Sequence, residues 1–209
     1  MEAKDIILAS ASPRRKELLA RVYPTFRVIP SRLRELVPKE LGVENCPQYL
    51  AERKAESVAK AYRKSLVIGC DTSVIVDGAI LNKPRSTSDA RDMMKMLSGR
   101  VHRVITGCSL FYMEKHFSFS EATEVEFYPL TDEEIEEYVE TPEPYDKAGG
   151  YGIQGTAALF IKGIKGDYYN IVGLPIARLK REIEEFMNQD FSVDADGNSE
   201  NKSRRRKKK

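Results

Sequence analysis

An α/β domain on a mixed β-sheet is the fold class this sequence predicts, from three observations. Short apolar runs alternate with amphipathic helical stretches in the first half of the chain, and strands dominate the second half. The 209 residues are 41% hydrophobic and 32% charged, enough to bury a core as one large domain or two small lobes. After Phe191 the composition turns to Ser, Asp, Gly and Asn and then to a basic block. Residues 1–191 are therefore read as the domain and 192–209 as a disordered basic tail.

Taken in order, Ile6–Ala9 is a four-residue apolar run, read as a buried strand. Ser12 caps a helix with Pro13 at its first position, continuing over Arg14–Val22. Thr25–Ile29 predicts a second strand, and Pro30–Asn45 a charged loop. Leu50, Ala51, Ala55, Val58, Ala59 and Tyr62 recur at helical spacing, which predicts a helix over Pro47–Tyr62. Ser65–Cys70 reads as a strand ending at Asp71-Thr72. Ser73–Val76 and Ala79–Leu81 then form a hairpin about Asp77-Gly78. Ser88 is the expected cap of a helix that carries Met93, Met94 and Leu97 and stops at Gly99. Val101–Tyr112 and Phe117–Tyr128 read as long strands, and Thr131 with Glu134 as a capping box for a helix to Val139. Pro142–Gly155 is irregular. Ala157–Ile161 and Tyr168–Val172 are expected strands, and Pro175–Met187 the last helix.

Charge and cysteine content exclude several functions. Seven of the 34 basic residues fall in the last eight positions, so residues 1–201 hold 27 basic against 32 acidic residues, a net charge of −5. A body of that sign is a poor non-specific binder of nucleic acid. The basic block could be a nuclear-import or RNA-touching patch, or simply a solvated tail. Cys46, Cys70 and Cys108 are widely spaced and form no C-x-x-C, so they read as reduced thiols, not as a disulfide framework or zinc site. With only His102 and His116, a histidine metal site or Ser-His-Asp triad has little to draw on. The first residues have no signal-peptide layout, and no apolar run nears the ~18 residues of a membrane span, so a cytoplasmic protein is expected.

Three clusters could carry chemistry. In Ser10-Ala11-Ser12-Pro13-Arg14-Arg15, hydroxyls, two guanidinium groups and a helix N-terminus together favour a phosphate; the plain alternative is a capped helix with solvated arginines. Asp71, after a buried run, could hold Mg²⁺ or act as a general base, or be a turn residue. Gly150–Gly155 matches G-x-G-x-x-G, but a Pro-rich loop precedes it and a strand is expected after it, the wrong setting for a dinucleotide fingerprint. What remains is a glycine loop carrying Lys147 and Gln154 that could wrap a ligand or merely turn. Lys54 and Lys83 are further candidate phosphate partners, each otherwise a surface lysine, and Glu35 is a loop acid.

Taken together, these residues resemble the Maf family of nucleoside triphosphate pyrophosphatases, relatives of the inosine triphosphatases. The resemblance rests on Leu8-Ala9-Ser10-Ala11-Ser12-Pro13-Arg14-Arg15, Ile68-Gly69-Cys70-Asp71-Thr72, Asn82-Lys83-Pro84 and Leu97-Ser98-Gly99-Arg100. Asp146–Gly155 and Gly166–Pro175 complete an ordered set that runs from about residue 5 to 190. The family implies a long mixed sheet with two lobes around a central nucleotide cleft, and commonly a homodimer. It implies hydrolysis of a nucleoside triphosphate to monophosphate and pyrophosphate with a divalent cation, Mg²⁺ or Mn²⁺. By resemblance Asp71 accepts the proton of the attacking water and, with Glu35, is a candidate metal partner; Lys54 and Lys83 complete the catalytic set. Ser10, Ser12, Arg14, Arg15, Thr72, Lys147 and Gln154 would bind substrate. Asp71-Thr72 and Gly152-Ile153-Gln154-Gly155 look like the branch acting on dTTP and UTP, with Arg14, Thr72 and Gln154 setting that choice. The rivals are the branch acting on 7-methyl-GTP and a nucleic-acid-binding or septum-regulating protein.

Overall fold

The computed structural model describes residues 5–188. The predicted tail therefore lies outside the described residues. Strands β1 (Ile6–Leu8), β2 (Arg27–Val28), β3 (Leu66–Val76), β4 (Ala79–Leu81), β5 (Val101–Tyr112), β6 (Lys115–Phe127) and β7 (Ile161–Lys165) form one seven-stranded sheet. Its order is β2-β1-β3-β5-β6-β7, with β4 also on β3. β1 runs parallel to β2 and β3, and the remaining pairings are antiparallel. The expected mixed α/β sheet is thus present.

The helices are α1 (Pro13–Ala20), α2 (Cys46–Ala59), α3 (Thr87–Leu97), α4 (Asp132–Val139), α5 (Tyr168–Val172) and α6 (Ile176–Asn188). Two lobes share one face of the long strands. In the first, Leu18 and Leu19 of α1 and Leu179, Ile183 and Phe186 of α6 pack on Leu8, Ile68 and Leu110. In the second, Met94 and Leu97 of α3 and Ile135 and Tyr138 of α4 pack on Val74, Val104 and Phe127. α2 covers the opposite face through Ala55 and Val58, against Ile7 and Val67. It lies close because two strand residues have no side chain. A Cβ on Gly69 would sit 2.2 Å from the Ala51 carbonyl oxygen, and one on Gly107 would sit 2.3 Å from the Gln48 nitrogen.

Four sequence expectations are corrected. β3 does not end at Asp71: it pairs with β5 without interruption from Val67↔Phe111 to Ile75↔Arg103, so Asp71 and Thr72 lie in mid-strand. The cap of α3 is Ser86, whose hydroxyl accepts from Asp89 N at 3.1 Å, not Ser88. Ala157–Phe160 belongs to a 3-10 turn, Thr156–Phe160, because the Glu143 carboxylate accepts from the amides of Thr156 (2.7 Å) and Ala157 (3.3 Å); the strand begins only at Ile161. Tyr168–Val172 is helix α5, capped by the Asp167 carboxylate accepting from Tyr169 N at 2.8 Å and closed at Gly173, φ +121°. The capping box of Thr131 and Glu134 and the Ser12 cap are as expected. Gly150–Gly155 sits between 3-10 turns, away from any strand-to-helix junction.

Candidate active site

β3 has a partner on both sides along most of its length, except in the middle. β1 pairs with Leu66, Val67 and Ile68, and β4 with Val74, Ile75 and Val76. Between them, residues 69–73 pair only with β5, and this open edge floors a cleft of about 720 Å³. Ligands of α/β sheets collect where neighbouring strands part in this way. The Arg15 guanidinium takes the place of the missing strand, donating from Nη1 to the Cys70 carbonyl at 2.9 Å.

Ser12, Arg14, Arg15, Glu35, Lys54, Asp71, Thr72, Lys83, Lys147 and Gln154, ten of the eleven candidates read from sequence, line this cleft. The eleventh, Ser10, is buried behind its wall and accepts from Arg15 Nη1 at 3.2 Å. Their roles follow from who holds whom. Lys54 Nζ lies 2.6 Å from Asp71 Oδ1 and 2.6 Å from Glu35 Oε1, so one ammonium joins two carboxylates from different elements. Asp71 is only 9% exposed. Burial raises its pKa above the ordinary carboxylate value; Lys54 and Arg15 oppose that rise and Glu35 adds to it.

Arg15 is more tightly committed than its sequence position suggests. Nε donates to Gly173 O at 2.9 Å, Nη1 to Ser10 and Cys70, and Nη2 to Thr72 Oγ1 at 2.9 Å. Thr106 Oγ1 donates to Asn170 O at 3.0 Å, so Thr72, 2.9 Å away, donates to Thr106. Thr72 therefore keeps one acceptor lone pair for a ligand. Arg14 reaches across the cleft, its Nη1 donating to Asp146 Oδ2 at 2.9 Å, and Lys147 Nζ lies 2.6 Å from Asp146 Oδ1. The side chains of Lys83 and Gln154 have no hydrogen-bond partner among the described residues and are open to a ligand.

The sequence assigns no site role to Asp146, Thr106, Asn170 or the pair His102–Tyr151, although Asp146, Tyr151 and Asn170 lie in its matching stretches. His102 Nε2 and the Tyr151 hydroxyl are 2.6 Å apart, which anchors the start of the glycine loop under the cleft. Burial depresses the His102 pKa to about 4, so the ring is neutral at pH 7. Asp146 could have been found from its place beside Lys147. The others depend on strand register, which the sequence does not display.

Two carboxylates converging on one cation position also suit a divalent ion, with phosphates and water completing its shell. Among the described residues no cluster of three or more His, Cys, Asp or Glu could hold a metal without such help. The three cysteines are free and buried. Among the described residues no helix is long and apolar enough to cross a membrane.

A two-lobed mixed sheet with a cation-walled cleft and a buried carboxylate at its floor defines an α/β protein equipped to hold a polyanion. Comparison with known proteins gives it a family. A family profile described as Maf-like protein matches residues 5–186, and the chain belongs to the Maf family. It is 48% identical over 183 residues to a dTTP/UTP pyrophosphatase of Bacillus cytotoxicus, covering 88% of this chain and 96% of that protein. It is 49% identical over 187 residues to a dTTP/UTP pyrophosphatase of Carboxydothermus hydrogenoformans, covering 87% and 98%. Among solved structures, a HAM1 protein from Coxiella burnetii superposes with a TM-score of 0.52 at 11% identity, over 87% of this chain and 99% of that one. That likeness shows the fold alone.

Proposed function

We propose that this protein is a nucleoside triphosphate pyrophosphatase that hydrolyses dTTP and UTP to the monophosphate and pyrophosphate. The observation that carries the reading is the single ammonium of Lys54 held between Asp71 and Glu35 at the floor of a cleft walled by Arg14, Lys83 and Lys147. The relatives' activity supports the same reading.

The chain's own residues divide the work by chemistry. Arg14, Lys83 and Lys147 supply cations for the triphosphate, and Ser12 opens the N-terminus of α1 beside them. Arg15 holds the Cys70–Thr72 edge and Gly173 in fixed relation and so keeps the floor in shape. Lys54 occupies Oδ1 of Asp71, which leaves Oδ2 to accept a proton from water. A carboxyl with a raised pKa is a stronger base for that step. Water adds to the α-phosphorus, the α–β anhydride bond breaks, and pyrophosphate departs against the cations. Gln154 offers a donor and an acceptor to a pyrimidine edge, and an unmatched base would leave them unpaired. Asp71 and Glu35 would hold Mg²⁺ or Mn²⁺, which when bound offsets phosphate charge. The reading extends to a cytoplasmic homodimer, supported by the family resemblance.

The test is pyrophosphate release from dTTP, UTP, CTP, GTP and 7-methyl-GTP with Mg²⁺, repeated after chelation. Fast turnover of dTTP and UTP, lost on chelation and restored by Mg²⁺ or Mn²⁺, is the expected result. Turnover of 7-methyl-GTP alone would overturn the substrate choice. No hydrolysis by folded protein would overturn the enzyme, and salt-sensitive binding of nucleic acid lost on removing residues 192–209 would favour a binding role instead.

A further inference from the structure

Asp146 lines this cleft without a part in the hydrolysis. Its carboxylate is 61% exposed, yet each oxygen is taken by a different cation: Oδ2 by Arg14 at 2.9 Å and Oδ1 by Lys147 at 2.6 Å. The two cations come from opposite walls, Arg14 from α1 and Lys147 from the loop that follows α4. Asp146 is the only partner of the Arg14 guanidinium among the described residues. Lys147 has a second acceptor in the Glu143 carbonyl at 2.7 Å, so its ammonium stays in place without Asp146. Partial burial raises the Asp146 pKa, but the hydrogen bonds from Lys147 and Arg14 outweigh it and hold the carboxyl below its ordinary value. The group is an anion at neutral pH, sitting where an anion is to bind.

We infer that Asp146 is a built-in competitor for the polyphosphate: its carboxylate occupies Arg14 and Lys147 in the free protein and must yield both to the incoming phosphates. This rests on the reading of the cleft as a polyphosphate site. A carboxylate that returns to its two cations after turnover weakens the hold on pyrophosphate and assists its departure. The same contact ties the two walls together across the cleft. Asp146 is thus a positioning residue that tunes affinity, not a catalytic one.

The experiment is calorimetric titration of inorganic pyrophosphate, at fixed Mg²⁺, into the full chain and into Asp146→Asn, with KM and kcat for dTTP measured alongside. The expected result is pyrophosphate binding about 3–10-fold tighter in the variant, the effect of removing one exposed partner from two cations. KM falls with it while kcat does not rise. The gain from Asp146→Asn is smaller in an Arg14→Gln background than in the wild type, since part of it acts through Arg14 and the rest through Lys147. Unchanged or weaker binding by Asp146→Asn, with the thermal midpoint intact, would overturn the inference and make the carboxylate an aid to substrate. If the wild type itself binds no pyrophosphate, the polyphosphate reading of the cleft fails and this inference fails with it.

Discussion

Asp71 is an acid set in a place that disfavours its charge. Burial lifts its pKa, and the ammonium of Lys54 at 2.6 Å is the first of the groups holding it down. Lys54 therefore does more than attract phosphate: it favours the ionised form of the base. Replacing it, as in Lys54→Met, leaves Asp71 facing Glu35 without the shared cation, so the Asp71 pKa rises further. A base works only when ionised, and the acid limb of the kcat/KM profile must then move to higher pH. At pH 7 the rate should fall by about 10²-fold, as for other displaced catalytic groups. A profile with an unmoved acid limb would detach Lys54 from Asp71. Most of these side chains were legible in the sequence, because hydroxyls, arginines and acids beside apolar runs are chemically conspicuous. Asp146 has no evident role in the sequence although it opens the stretch Asp146–Gly155 and neighbours Lys147. Thr106 and Asn170 look like ordinary packing residues until the register sets Thr72 opposite Thr106.

β3 and α2 make the site together, and glycine lets them. Without the missing side chains at Gly69 and Gly107, α2 could not lie on the sheet closely enough for Lys54 to reach Asp71. Gly107→Ala drives a Cβ into the backbone of α2, an overpacking of about 1–3 kcal/mol, which should lower the thermal midpoint by roughly 2–10 °C and take activity with it. A variant as stable and active as the wild type would show that α2 has room to move. The elements themselves were legible to different degrees. α2, α3, β5 and β6 are long and strongly periodic, and they emerge near their predicted bounds. The misreadings have contacts as their cause: a cap or a strand pairing overrode local composition. Glu143 caps the amides at Thr156 and Ala157, and turns an apolar run into a 3-10 turn. Asp167 caps Tyr168–Val172, whose aromatic and β-branched residues otherwise suit a strand. Asp71 was read as a strand end because acids usually punctuate strands, but pairing with β5 carries the strand through it.

The molecule as a whole is two lobes on one face of three long strands, with α2 behind them and the cleft where β1 gives out before β4 begins. That gap turns a structural sheet into a binding site, and it puts the charged base within the strand, where its position is rigid. The arrangement costs stability. A carboxyl whose pKa is higher in the fold than in the unfolded chain contributes stability at low pH and loses it as pH rises through the folded value. Once ionised, Asp71 is therefore a burden on the fold, and above that pH its replacement by the neutral isostere Asn should not lower the thermal midpoint. Sites that trade stability for function in this way are recognisable by that pairing of effects. The most direct test is the kcat of Asp71→Asn for dTTP with Mg²⁺, taken on protein whose thermal midpoint is recorded in the same preparation. The account predicts a loss of about 10²–10⁴-fold with the midpoint at or above that of the wild type; turnover within a few-fold of wild type would contradict it.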